Sequence, residues 1–293
     1  MEEQKDDYFI SDDEQQRIEA LDYTLPSHLR QILKGFKWAV KNKNTSAVIL
    51  FDGRSGMGKT TLACQCGLYC DPNFTLDKVY FTPDQLLAGL DTAQPGSFHL
   101  LDEAMIISNR SSMSLLNRAI IQAMSMIRSK RIIVGFCINS IFDMDRNIVL
   151  SRADILLHVY GDSLTDRGKF MAFFKGADGI DKLKLLYLIG KKFYDYSKPK
   201  SNFNTTFSSR FIFNDEEYEK KKQQGISTFL NKTESKTTHG VRTARDNLIR
   251  LVYEKLGLTH KEIAKYALVS RNEVTIILNK PQKSGWSAEN GGN

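Results

Sequence analysis

The segment Gly53-Arg54-Ser55-Gly56-Met57-Gly58-Lys59-Thr60, continued by Thr61, has the residue types and spacing to hold a triphosphate. A triphosphate is a dense cluster of negative charge, and backbone N–H groups converging at a helix N-terminus can cradle it. Gly53, Gly56 and Gly58 let the chain curl tightly enough for those groups to converge. Lys59 can reach the β- and γ-phosphates, and Thr60 can set its hydroxyl on the accompanying Mg²⁺. The flanks fit. Ser46 to Phe51 is almost wholly apolar, as a strand buried on both faces should be, and Thr60 to Tyr69 reads as a helix.

A second constellation follows. Phe98-His99-Leu100-Leu101 is an apolar run ending in two carboxylates, Asp102 and Glu103. Asp102 is expected to hold Mg²⁺, mostly through water, and Glu103 to orient and help deprotonate an attacking water. The plainer alternative is a pair of surface acids at a strand end. A fourth strand, Arg131 to Asn139, is apolar up to the amide of Asn139. Ligands of open α/β sheets bind at that edge, where Asn139 could sense a γ-phosphate or share the water held by Glu103. ATP and Mg²⁺ are the expected cofactors and ATP hydrolysis the expected activity. A small-molecule kinase fits less well, because no arginine-rich lid is evident and the paired acids suit attack by water.

These residues need a sheet to position them, and the pattern supplies one. Leu29, Ile32, Leu33, Phe36 and Val40 recur at helical spacing, Lys78 to Phe81 reads as a short strand, and Pro83 opens a helix to about Leu90. Ser114 to Ser129 has a helical core face, and Ile155 to Tyr160 reads as a fifth strand. Strands alternating with helices predict an α/β domain with a mainly parallel central sheet. Past residue 160, Lys169–Phe174 and Leu183–Phe193 read as strands of an edge hairpin or β-rich appendage, 195–210 as a loop, and 231–240 as a polar linker. The acidic start Asn214-Asp215-Glu216-Glu217 suits a helix N-terminus.

The expected organisation is a polar leader (1–25), a nucleotide-binding domain (26–212) with a β-rich extension from about 165, a helix and linker (213–240), a small tri-helical domain (241–281) and a disordered tail (282–293). With 41% hydrophobic and 26% charged residues, the 293-residue chain has the composition of a soluble globular protein. Its net charge of +7 favours a polyanion such as nucleic acid, or an acidic membrane surface. Cys64, Cys66, Cys70 and Cys137 lack a companion His or Cys cluster. They read as small buried side chains of a reducing compartment. The start MEEQKDDYFI has no signal-peptide character and no run is long enough to span a bilayer, so the expected location is cytoplasmic.

The glycine-rich loop, the acidic strand end and the polar strand end together resemble the RecA-type division of the P-loop ATPases. The stretch from Asp102 through Tyr160 resembles the HerA/FtsK superfamily of DNA-pumping ATPases and its viral and mobile-element relatives. The resemblance implies a RecA-like sheet in which the strand bearing the polar sensor lies between the P-loop strand and the acidic strand. It also implies a homo-oligomer such as a ring, in which a neighbour's arginine completes each site. Arg146 and Arg152 are the candidates, Arg128 is a weaker one, and Arg110 could couple hydrolysis to a bound strand. The alternative for each is a solvated basic surface.

Near the C-terminus, LTHKEIAKYALVSRNEVTIILNK carries two helix starts, Thr259 with Glu262 and Ser270 with Glu273. Ile263, Ala264 and Ala267 give the first helix a core face, Val274, Ile277 and Leu278 the second, and Leu248, Val252 and Leu256 a preceding third. The unit resembles the helix-turn-helix family through Ala264 and Val274, although Leu268 stands where that family's turn usually has glycine. The resemblance implies that Arg271, Asn272, Thr275 and Asn279 face the major groove and Lys280 the phosphates. The implied partner is double-stranded DNA, which the ATPase would translocate, package or remodel. An ATP-switched loader or regulator of replication or mobile-element maintenance is the alternative, and a helical protein-interaction bundle is the alternative for the C-terminal unit.

Overall fold

The structure, a computed structural model, describes residues 25–102, 110–161, 166–267 and 269–279, without the side chains of 110–119 and 229–244. The leader up to Thr24, Glu103, Leu268, Lys280 and the tail lie outside the described residues.

Every residue of β1 (Ala47–Asp52) is buried, because this strand runs through the middle of a seven-stranded sheet. The order is β2 (Val79–Tyr80), β3 (Phe98–Leu101), β4 (Ile133–Cys137), β1, β5 (Ile155–Tyr160), β6 (Lys169–Phe174) and β7 (Phe203–Thr206). The pairs from β2 to β5 are parallel, with Leu50 opposite Phe136 on one side and Leu156 on the other; β6 and β7 add antiparallel. β4, which leads to Asn139, thus lies between β1, which leads to the glycine-rich loop, and β3, which leads to Asp102.

Side chains alternate across a strand, so a central strand must be apolar at every position. Ala47, Ile49 and Phe51 share one core with Leu29 and Leu33 of α1 (Ser27–Asn42) and Leu62 and Cys66 of α2 (Lys59–Cys70). Val48 and Leu50 share the other with Leu86 of α3 (Pro83–Asp91), Ile120 of α4 (Arg110–Lys130), Ile148 of α5 (Arg146–Ser151) and Leu186 of α6 (Lys182–Gly190). The domain is therefore α/β with helices on both faces of a mostly parallel sheet.

Three local expectations fail. Residues 183–193, read as a strand, are helical from Lys182 to Gly190, with Asp181 accepting from Lys184 N at 3.1 Å as the cap. Leu183, Leu186 and Tyr187 are buried, whereas Leu185, Leu188 and Ile189 are exposed; apolar residues on both sides erase the helical period. Within 195–210, read as a loop, Phe203–Thr206 forms the edge strand β7, whose alternating half-exposure suits an edge. The polar stretch 231–240 is helical, part of α7 (Asp215–Leu256). No proline interrupts it, and polarity alone does not stop a helix. Asn214 caps α7, accepting from Glu217 N at 3.1 Å, in keeping with the acidic start.

The chain divides into two compact units, Met1–Ile226 and Ser227–Asn293. In the second, Ile249, Ile263, Val274 and Ile277 form a small core, joined by half-buried residues including Val252, Ala264 and Ala267, from α7, α8 (His260–Ala267) and α9 (Arg271–Asn279). Thr259 and Glu262 bond reciprocally, and Ser270 accepts from Glu273 N at 3.1 Å, so both starts are capped. The preceding helix, the C-terminal part of α7, is turned from its expected phase. Leu248 and Leu256 are exposed, and Ile249 is the buried residue. Leu248, Ile249, Leu251, Val252 and Leu256 offer several apolar stripes, and the periodicity alone does not choose among them. Among the described residues no helix is long and apolar enough to cross a membrane.

Candidate functional site

β1 delivers the chain to the C-terminal edge of the sheet, where Gly53 must turn beside β5. A Cβ at Gly53 would lie 2.0 Å from the carbonyl oxygen of Val159, and its φ is +133°, so only glycine fits. Gly56 and Gly58 also have positive φ, at +81° and +98°, and α2 begins at Lys59. The loop therefore has the curled form that aims successive N–H groups at one point. Gly53 N donates to the carbonyl of Asn139 at 3.2 Å, tying the loop to the end of β4. Lys59 Nζ donates to the carbonyls of Gly53 and Arg54 at 2.7 and 3.0 Å, which places its charge within the loop. Arg54, Ser55 and Gly56 are exposed, Met57 is buried beneath them, and Lys59, Thr60 and Thr61 are partly exposed.

Opposite the loop, Asp102 follows β3 and is 2% exposed. Thr60 Oγ1 lies 3.1 Å from each of its carboxylate oxygens, and Tyr218 of α7 donates its hydroxyl to Oδ2. The buried Cys137 thiol lies close enough to the same carboxylate to feel its charge. Burial, then the charge of Asp102, pushes the Cys137 thiol well above its ordinary range; Cys64 is raised for the same two reasons, in the same order. Buried thiols raised in this way are poor nucleophiles. Burial, reinforced by Asp102, also raises the Tyr218 hydroxyl, so it remains a donor.

The loop, Asp102 and Asn139 line one cleft of about 410 Å³, with Arg167, Phe207, Tyr218 and Lys222 on its other walls. A triphosphate with its cation fits this donor set. Among the described residues, the side-chain hydrogen-bond partners of Asp102 are the uncharged Thr60 and Tyr218, and a buried carboxylate without a cationic partner is costly. Among the described residues no three His, Cys, Asp or Glu gather to hold a metal by themselves, so a cation here would complete its shell with phosphate oxygens and water.

A second polar cluster braces the loop from below. Asp52, fully buried at the end of β1, accepts from His158 Nδ1 at 2.8 Å, Tyr196 at 2.5 Å and Ile141 N at 2.9 Å. Ser140, next to Asn139, lies 3.1 Å from the Tyr196 hydroxyl. The cluster locks the ends of β1, β4 and β5 together.

Of the residues expected at the site, Ser55 to Thr61, Asp102 and Asn139 line the cleft together, with Asn139 exposed at its wall, while Gly53 and Arg54 belong to the same loop without lining it. Glu103 lies outside the described residues, as does the side chain of Arg110. Arg146 opens α5 and Arg152 follows it; both are exposed and neither lines this chain's own cleft. Arg128 is exposed near the end of α4, just before β4, at the opposite sheet edge. In the second unit, Arg271, Asn272 and Asn279 are exposed on α9. Thr275 departs from its expected role. It is half-buried, lies 3.1 Å from His260 Nδ1 and donates to the Arg271 carbonyl at 3.1 Å, so its hydroxyl serves helix packing.

Asp52, Arg167, Tyr218 and Lys222 are missing from the sequence reading. Arg167 was within reach of it, because a hairpin joining residues 155–160 to 169–174 must turn at the same edge as the P-loop. Nothing local marks Tyr218, which arrives from a helix distant in the chain. A scan against protein-family models finds no match to this sequence, and a search of curated proteins finds no relative.

Proposed function

We propose that this chain is a Mg²⁺-dependent ATPase of RecA-like type that acts on double-stranded DNA. One observation carries the nucleotide reading: a glycine loop with three positive-φ glycines opens a helix whose Thr60 faces a buried Asp102 across the sheet edge, 3.1 Å away. The loop N–H groups would cradle the phosphates, and Lys59 would exchange its two loop carbonyls for phosphate oxygens. Thr60 and Asp102 would hold Mg²⁺, which when bound neutralises charge on the transferring phosphoryl group. Glu103 would orient and deprotonate the water, and Asn139 would contact the γ-phosphate.

The DNA reading rests on the net charge of +7 and on the capped three-helix second unit, whose α9 presents Arg271, Asn272 and Asn279 outward. Arg146 and Arg152 stand away from this chain's own cleft, which suits action in a neighbour's site within a homo-oligomer. ATPase rate measured with and without duplex DNA, across protein concentration, tests the whole proposal. A rate that rises with duplex and steeply with concentration supports a shared-site motor. Slow turnover with sequence-selective binding would point instead to an ATP-switched loader, and no hydrolysis at all would overturn the enzyme.

A further inference from the structure

We propose that Tyr218 is a positioning residue for the metal, holding the Asp102 carboxylate in the orientation that receives Mg²⁺. This rests on the nucleotide reading above and adds a residue that the loop and the acidic strand end do not contain. Tyr218 is 7% exposed, and its hydroxyl donates to Asp102 Oδ2. Its ring is clamped edge-on by Phe81, centroids 5.4 Å apart, and by Phe211, 5.1 Å apart. The turn that bears it is fixed by the Asn214 cap and by Lys221, whose Nζ donates to the Leu76 carbonyl at 2.6 Å. The hydroxyl is thus aimed by two ring contacts and a fixed helix turn.

An ionised carboxylate has about four acceptor positions on two oxygens, and it can rotate about its bond to the chain. Thr60 approaches both oxygens equally and cannot by itself distinguish them. Tyr218 contacts only Oδ2 and breaks that symmetry, leaving Asp102 one defined presentation toward the cleft. Hydrogen bonds of this kind behind a ligand set both its direction and its affinity for a cation. Tyr218 also belongs to α7, so the carboxylate is anchored to a different helix from the one that carries Thr60.

The test is Tyr218→Phe in the full chain, which keeps the ring and its clamp. Binding of a fluorescent ATP analogue is titrated against Mg²⁺, and Mn²⁺ binding is followed by electron paramagnetic resonance. The Mg²⁺ concentration for half-maximal tightening of nucleotide should rise by about tenfold or more, as loss of such a bond typically does. Mn²⁺ affinity should fall in parallel, while metal-free nucleotide binding and the melting temperature stay near wild type. Tyr218→Phe with wild-type Mg²⁺ and Mn²⁺ dependence, or with tighter metal binding, overturns the role of Tyr218. A wild-type chain that binds no nucleotide, or binds it with no Mg²⁺ dependence, overturns the parent reading and this one with it.

Discussion

Two aspartates end strands at the same edge of the sheet, and both are buried, Asp52 fully and Asp102 to 2% exposure. Their surroundings differ in kind. Asp52 is enclosed by an imidazole, a phenol and a backbone N–H drawn from three segments, and the His158 and Tyr196 rings stack over it at 3.6 Å between centroids. Asp102 has a threonine and a tyrosine hydroxyl for partners and lies on the wall of an open cleft. The first carboxylate is satisfied by its own protein and serves as a brace. The second, among the described residues, has only uncharged side-chain hydrogen-bond partners, which suits a residue that would meet a cation from solution. Burial and residue type are the same at both positions, so neither property alone separates scaffold from chemistry.

The largest effect should come from removing the charge at the centre of the loop. Lys59→Ala is expected to abolish measurable hydrolysis and weaken ATP binding, because the Lys59 ammonium sits among the loop carbonyls where the phosphates would lie. Glu103→Gln should leave MgATP affinity near normal while turnover falls by roughly 10²–10⁴-fold, the usual worth of a positioned general base. Single-turnover hydrolysis beside equilibrium binding reads both. Unchanged binding and turnover in Lys59→Ala would remove the nucleotide reading, and wild-type turnover in Glu103→Gln would shift the base to another residue.

The aspartates themselves should part company when changed. Asp102→Asn should lose Mg²⁺-dependent nucleotide tightening with little change in melting temperature, since it relieves a buried charge that has no cationic partner. Asp52→Ala should leave three donors, those of His158, Tyr196 and Ile141, without their acceptor and cost about 3 kcal/mol of stability, at roughly 1 kcal/mol for each. Thermal melts paired with Mg²⁺ titrations check this. If Asp102→Asn proves the less stable of the two, the division between brace and site is wrong.

How far the sequence reveals this depends on how local the signal is. The loop, its strand and its helix are contiguous, so spacing and glycine chemistry disclose them together. Asp102 is legible because an apolar run ends on it, and parallel pairing then puts it at the same edge. Asp52 is equally close to the loop, yet it reads as an ordinary strand end, because its partners Ile141, His158 and Tyr196 come from far along the chain. Tyr218 is hidden for the same reason. The failures of secondary structure have a different cause. Residues 182–190 leave apolar side chains exposed and so hide their period, and Leu248 to Leu256 is apolar on too many stripes to fix its own phase.

A smaller effect on hydrolysis, and a larger one on DNA, should follow from ending the chain after Ile226, which keeps Tyr218 and its contacts. Basal ATPase activity should persist, and duplex affinity should fall at least tenfold if the second unit makes the DNA contacts, with a shallower salt dependence. The same duplex affinity in the shortened chain would assign DNA binding, if any, to the first unit.

The finest distinction lies within α9. Arg271 and Thr275 are one helical turn apart, and sequence spacing places both on the surface offered to DNA. Their environments divide them. Arg271 is exposed, while Thr275 is half-buried with its hydroxyl shared between His260 and the Arg271 carbonyl. Arg271→Ala should therefore weaken duplex binding by about 1–3 kcal/mol if it meets a base edge, with relaxed preference at one position, or reduce affinity evenly across sequences if it meets a phosphate. Thr275→Ala removes a packing contact of α8 on α9. It should lower the stability of the second unit by about 1 kcal/mol, the net value of a typical hydrogen bond, and leave sequence preference unchanged. Duplex binding to a panel of single-base variants, measured beside the melting of each protein, separates the two. A change of base preference in Thr275→Ala, with Arg271→Ala silent, would mean that α9 meets DNA on a different face from the one its exposure indicates.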